Sequence, residues 1–378
     1  MTDAPVIDPS RDPARATADL ILSSGADGGD DGADEGAGGG VEQVVEVTGE
    51  DRLTHLDAMT TQALKDARPG LATAALTLDA NGNPLAMFDV LVLPDRVCLI
   101  TPDAHVTAVV MEVIAGRTFL ADARFRVLDH RVVRAAVDPA LVRRAWSGHA
   151  VVPEPGTARS TPSGDTVLAA DMTGVLTLAG PDVEVTRLVD RLRDAGAVDA
   201  DPVQSRAWRI AAGRPAWGSE VTPPHLPEEL GLLPTHVHLA KGCYPGQEAV
   251  ARMWMLGRPR RRLARVRITG VDASELQPGW RTGEGRDVVE VTAVEVVVPV
   301  SGVAKVGALA FVPGSTVAGQ VFGRPDGDGE ASDAASAEIS AVEVVALIGD
   351  DPAPPGHDPA MRRRRDRSGS DGPPRRAA

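Results

Sequence analysis

Twelve residues, Lys241 to Arg252, gather a thiol, an amine, a carboxylate and a guanidinium around two glycines. The run reads Lys241-Gly242-Cys243-Tyr244-Pro245-Gly246-Gln247-Glu248 and continues through Ala251-Arg252. These side chains are scarce elsewhere: the chain has three lysines against 36 arginines, two cysteines and one tyrosine, and one of each falls here. Gly242, Pro245 and Gly246 predict a tight turn, because glycine reaches backbone angles closed to other residues and lets the main chain approach a neighbour closely. A turn displays its side chains. The chemistry on offer is that of a thiolate, favoured by positive charge on Lys241 and Arg252 and opposed by Glu248 if it lies closer. The plain alternative is a buried, inert cysteine, the commoner fate of a lone thiol.

Two other stretches carry candidate ligands. His236-Val237-His238 predicts two imidazoles on one face of a strand, five residues before Cys243, a spacing that could supply three metal ligands. Such H-x-H pairs are usually exposed strand positions, and no metal is expected. Cys98, within Arg96-Val97-Cys98-Leu99-Ile100-Thr101, reads as strand core. Two cysteines cannot hold a four-cysteine iron-sulfur cluster.

The Lys241 to Arg252 run resembles the signature K-G-C-Y-x-G-Q-E, followed by A-R, of the YgfZ family of folate-binding proteins. These are similar to the T-protein (aminomethyltransferase) of the glycine cleavage system. Val47-Thr48-Gly49-Glu50-Asp51-Arg52, with Leu56 and Thr60-Thr61, is similar to the family's opening V-x-G-x-D-R and its helix. Weaker likeness runs through Arg209 to Gly213 and Gly307 to Phe311, so that the resemblance covers roughly residues 41 to 350.

The resemblance implies an α+β, T-protein-like three-domain ring: two interleaved α+β domains and a C-terminal β-barrel around a hole that holds tetrahydrofolate. It implies an accessory protein that supports assembly or repair of iron-sulfur clusters, including those of tRNA-modifying enzymes, and leaves open whether the chain is itself an enzyme. Its partners are then iron-sulfur enzymes or assembly proteins. Cys243 is the functional thiol, with Lys241 beside it at the rim, and Gly242, Tyr244, Gly246, Gln247, Glu248 and Arg252 complete the motif. Asp89, Trp217 and Glu220 are the implied folate contacts. Asp89 falls near the enzyme's catalytic aspartate but reads equally as a strand-edge charge. Trp217 packs on a flat ring or fills the core, and Glu220 accepts hydrogen bonds. The chain departs from the enzyme at Ala211, which matches a glutamate that engages the pterin there. Two further readings stand beside this one: a folate-dependent aminomethyl- or methyltransferase, and a thiol redox or scaffold protein without folate.

Charge sets limits on partners. The formal net charge is −14, with residues 1–40 at −7 and residues 352–378 at +4, which leaves an acidic body. Phosphate contacts need clustered positive charge, so DNA binding is not expected. RNA contact is open only through Arg258, Arg260, Arg261, Arg262, Arg265 and Arg267, which otherwise face solvent or pair with the body's carboxylates. A folate polyglutamate tail is another anion they suit. Two distant cysteines and no basic leader predict a cytoplasmic protein, and no apolar run reaches membrane-spanning length.

The elements that must position these residues follow from pattern. Residues 1–40, acidic and glycine-rich, are expected to be disordered, as is the basic tail 352–378. Residues 41–257 predict an α+β unit carrying the signature, which the resemblance implies to be the two interleaved domains. A strand Val41 to Val47 leads to a helix capped by Asp51, and Asn81-Gly82 marks a hairpin at a sheet edge. Helices are predicted at Ala104 to Ala115, Asp138 to Trp146, Val183 to Ala195 with Gly196 as cap, and from Pro202 to Ala212. A single strand is predicted at Val167 to Leu178. Gly213 to Pro234, with five prolines, predicts a crossing segment. Residues 258–351 predict a small antiparallel barrel or sandwich, of which the resemblance implies the barrel, with strands Leu263 to Ile268, Val288 to Val298, Val303 to Val312 and Ala341 to Leu347.

Overall fold

The computed structural model describes residues 20–22, 40–147, 152–256, 259–269, 276, 278–282, 288–297, 305–323 and 341–350. Three sheets carry the fold. After strand β1 (Leu20–Leu22), the chain builds a complete five-stranded sheet from β2 (Gln43–Thr48), helix α1 (Arg52–Met59), β3 (Ala72–Leu78), β4 (Pro84–Val92), β5 (Val97–Thr101), helix α2 (Ala104–Val109) with a π-helical continuation Val110–Ile114, and β6 (Arg124–Leu128). Its spatial order is β3-β4-β5-β2-β6. The chain then returns to β1 with β7 (Arg131–Ala136), α3 (Pro139–Ala145), β8 (Thr157–Ser160), β9 (Val167–Ala170), β10 (Leu176–Gly180), α4 (Asp182–Asp194) and β11 (Val198–Ala200). These strands form a second sheet in the order β11-β1-β7-β10-β9-β8. The first sheet is therefore inserted between two strands of the second.

Helices α5 (Pro202–Ala211), α6 (Leu233–His236) and α7 (Gln247–Leu256) cross to the third sheet. That sheet comprises β12 (Arg261–Thr269), β13 (Arg281–Thr282), β14 (Val289–Val297), β15 (Lys305–Pro313), β16 (Val321–Gly323) and β17 (Ala341–Leu347), in the order β13-β14-β15-β12-β17-β16. It is barrel-like and nearly closed. No helix among the described residues is long and apolar enough to cross a membrane.

Separate cores explain why the units hold together. One face of the first sheet, with Val45, Val47, Phe88 and Val90, packs on Leu56 of α1 and Val106 of α2. The second sheet buries Leu176 and Leu178 against Val185, Val189 and Leu192 of α4. Between the two sheets lie Val44, Leu91, Cys98 and Ile100 from one and Val132, Val167 and Ala179 from the other. A junction core joins Leu76 and Leu78 to Ile210, Tyr244, Val250 and Trp254 and to Leu263, Leu309 and Phe311 of the barrel-like sheet. Burying each such side chain contributes about 1.5–3 kcal/mol before chain entropy is counted.

Several expectations are corrected. Residues Leu20–Leu22 are a strand within the stretch expected to be disordered: they pair parallel with Val198–Ala200 and antiparallel with Arg134–Ala136. A polar, glycine-rich average concealed three consecutive apolar residues whose ladder lies far along the chain. Residues 1–19 and 23–39, and the tail 352–378, lie outside the described residues. The single strand Val167 to Leu178 is two, β9 and β10, because Asp171 Oδ1 accepts from the backbone of Thr173 and Val175 and Gly174 takes a φ of 87° to close the hairpin. Asp51 does not cap α1 with its side chain; its Oδ2 accepts instead from Asp122 N at 2.9 Å, fixing the loop before β6. Strands β7, β8 and β11 were not foreseen.

Candidate functional site

The signature forms the predicted turn and the start of α7. Gly246 has a φ of 79°, and a Cβ there would sit 2.5 Å from Asp79 O, so the turn rests on the tip of the β3–β4 hairpin. Only glycine permits both the angle and the approach. Tyr244 is buried in the junction core, and burial pushes its phenol up to about 12. Cys243 is exposed and free, whereas Cys98 is buried and its thiol is pushed up to about 11 by desolvation. Glu248 and Arg252 pair with each other one turn apart on the solvent side of α7.

Lys241 departs from expectation. It does not stand at an accessible rim beside Cys243, because its side chain is 1% exposed. Its Nζ donates to the carbonyls of Asp57 and Thr60 at the end of α1, lies 3.8 Å from the Asp57 carboxylate and sits 5.0 Å above the Tyr244 ring. Orphan carbonyls at a helix C-terminus attract a cation in this way. Burial lowers its pKa to about 8, against the pull of Asp57. The lysine ties the thiol's turn to α1.

The anchor for that tie is Thr60-Thr61-Gln62, three polar residues that are all buried. Thr61 Oγ1 donates to His236 O and accepts from Leu76 N. Gln62 Nε2 reaches Thr73 Oγ1, Ala74 O and Thr235 O at 3.0, 3.1 and 3.3 Å. Gln62 thereby bridges β3 to the end of α6. His236 and His238 accordingly do not lie on a strand, as was expected; His236 closes α6 and His238 follows it. Among the described residues, no three His, Cys, Asp or Glu side chains are placed to hold a metal ion.

Asp89 occupies a meeting point. Along β4, Ala86, Phe88 and Val90 face α1 and α2, while Met87 packs on the junction core and Leu91 on the core between sheets. With period-two alternation, Asp89 shares the latter face, between two cores. Its Oδ2 accepts from Arg134 Nη1 at 2.6 Å, and Arg134 also binds Glu42 and Thr177 Oγ1. Burial alone would lower the pKa of Arg134, but Asp89 and Glu42 together raise it. The Asp89 carboxylate keeps partial exposure, and its Oδ1 has no hydrogen-bond partner among the described residues.

Glu220 is fully buried and saturated. Arg209 Nη1 and Ala216 N donate to Oε2 at 2.7 and 2.9 Å, and Ser219 Oγ and Thr292 Oγ1 to Oε1 at 3.0 and 3.1 Å. It pins the crossing segment to α5 and β14, and its complete burial leaves a folate no approach to it. Trp217 is half-buried and packs on both the first-sheet and junction cores. Ala211 offers its carbonyl to Arg265. Arg261, Arg262 and Arg267 pair with Glu290, Asp350 and Glu343, while Arg258 lies outside the described residues. Sequence reading missed Gln62, Arg134 and Thr235, since nothing local marks them; only contacts between distant segments do.

No family model and no curated protein matches the chain by sequence. By structure it is similar to the glycine cleavage system aminomethyltransferase T from Bartonella henselae, with a TM-score of 0.63 and 15% identity over 88% of this chain and 86% of that one. A match to Methanococcus jannaschii TBP, at a TM-score of 0.20, carries no weight. The chain thus has an aminomethyltransferase-like fold. At this identity the likeness is one of fold alone.

Proposed function

We propose that this chain is a tetrahydrofolate-binding protein that supports iron-sulfur cluster assembly or repair, with Cys243 as its working thiol. The observation that carries the reading is the state of the signature: Cys243 is exposed on a braced turn, while Lys241, Glu248 and Arg252 are each engaged elsewhere. Such a thiol suits a partner protein better than a substrate enclosed with acid-base groups. The fold supports folate, and Asp89 Oδ1 fits one of its demands, since a pterin edge carries N–H donors and this carboxylate oxygen is open. The half-exposed Trp217 fits a flat ring. Glu220 does not take part.

Calorimetric titration with tetrahydrofolate, on wild type and Cys243→Ala, tests the first half; rescue of iron-sulfur enzyme activity in cells lacking the protein tests the second. Equal saturable binding by both proteins, with rescue by wild type alone, is expected. Absence of binding to either removes the folate reading, and full rescue by Cys243→Ala removes the thiol's role. Turnover of an aminomethyl donor would instead make the protein a transferase.

A further inference from the structure

His236 lies within electrostatic reach of Asp89 for reasons that the chain's local pattern does not show. Ala74 is the cross-strand partner of Asp89 in the β3–β4 ladder. Gln62 Nε2 bonds both Ala74 O and Thr235 O, so the residue preceding His236 is moored one strand away from the carboxylate. Thr61 Oγ1 holds His236 O itself. Two further charges act on the imidazole: Asp171 from the β9–β10 hairpin and Arg214 from the segment after α5, themselves paired at 2.7 Å. Charges from the first sheet, the second sheet and the segment after α5 therefore act on one ring, and Asp89, Asp171 and Arg214 each keep partial solvent exposure.

The ring's orientation is set at one nitrogen. Nδ1 lies 2.7 Å from Thr235 Oγ1, whose hydrogen has a backbone acceptor in Leu232 O at 3.5 Å. Thr235 Oγ1 either donates to Nδ1 or accepts from Nδ1–H; in the second case Nε2 keeps its lone pair. No hydrogen bond occupies Nε2 among the described residues.

Resting on the folate reading, we propose that His236 is a ligand contact of this junction, its Nε2 accepting a hydrogen bond from a ring N–H of the pterin next to the Asp89 carboxylate. A neutral acceptor there complements the single open carboxylate oxygen and supplies recognition that Ala211 cannot. Neutrality is secured by burial, which pushes the imidazole down to about 4; Asp89 and Asp171 pull upward and Arg214 downward. A neutral imidazole offers one acceptor nitrogen.

Three substitutions separate a ligand role from a structural one. His236→Asn keeps an atom near Nδ1 for Thr235 but ends short of Nε2; His236→Gln reaches the Nε2 position; His236→Leu removes both. Tetrahydrofolate affinity is measured by calorimetry for each, with thermal unfolding as the folding control. Asn and Leu are expected to weaken binding about tenfold, the effect of one lost hydrogen bond to a buried donor, and Gln to retain most of it. Should Leu fail to fold, Asn decides alone. Wild-type affinity with Asn, or equal loss with Asn and Gln, overturns the proposal while the folate reading stands. Failure of wild type to bind tetrahydrofolate overturns both.

Discussion

Glu220 has no exposed surface and four donors, and it neighbours Trp217, which the same resemblance marked as a ring contact. Its position in the chain suggests a ligand carboxylate; its partners make it a structural one. A buried ion pair loses heavily when one member goes, because the other is left charged and unpaired. Glu220→Ala is expected to cost about 3–5 kcal/mol in urea unfolding, with Glu220→Gln costing less, since the amide oxygen can still accept from Arg209 and Ala216 while its NH2 donates to Ser219 Oγ. A loss below about 1 kcal/mol for the alanine variant would mean that Arg209 finds water or another carboxylate. The contrast with Asp89, which shares one oxygen with Arg134 and leaves the other free, is a difference that residue type alone does not reveal.

At the scale of elements, the turn carrying Cys243 is held from two sides, by Gly246 on the hairpin tip and by Lys241 on the end of α1. The lysine gives this brace a pH signature. Its folded pKa of about 8 lies below the ordinary 10.5, so between those values the unfolded chain holds more protons and stability rises with pH. Compared with Lys241→Met, wild type is expected to gain in urea midpoint between pH 7.5 and 9.5, whereas parallel midpoints across that range would show that the amine is not buried as described. Elements with local signals were legible: Asn81-Gly82 gave its hairpin, and Asp201, followed by proline, gave α5 with a full capping box. Strands β7, β8 and β11 were not, since each is short and its ladder is supplied by residues far away. The same holds for the site. Cys243 on a glycine turn could be read directly, but the burial of Lys241 and the placing of His236 depend on Thr60, Thr61 and Gln62, nearly 180 residues earlier.

The molecule as a whole is knit by insertion. The second sheet cannot be completed without Leu20–Leu22, which lies between β7 and β11, and Ile21 packs among Val133, Leu141 and Val189. Ile21→Ala is expected to cost about 2–4 kcal/mol by chemical denaturation, as for any large aliphatic side chain removed from a core, although only three residues of its neighbourhood belong to the strand. A change within about 0.5 kcal/mol would place β1 outside the cooperative unit. The same insertion imposes an order on synthesis. Val198, the partner of Leu20, emerges roughly 180 residues later, on the order of 10–40 s at ordinary elongation rates. β7 emerges before that and covers one edge of the apolar tripeptide, but the other edge stays unpaired on the growing chain until β11 arrives. Nine acidic residues lie among the first 40 of the sequence, and charge flanking an apolar strand opposes edge-to-edge association of copies.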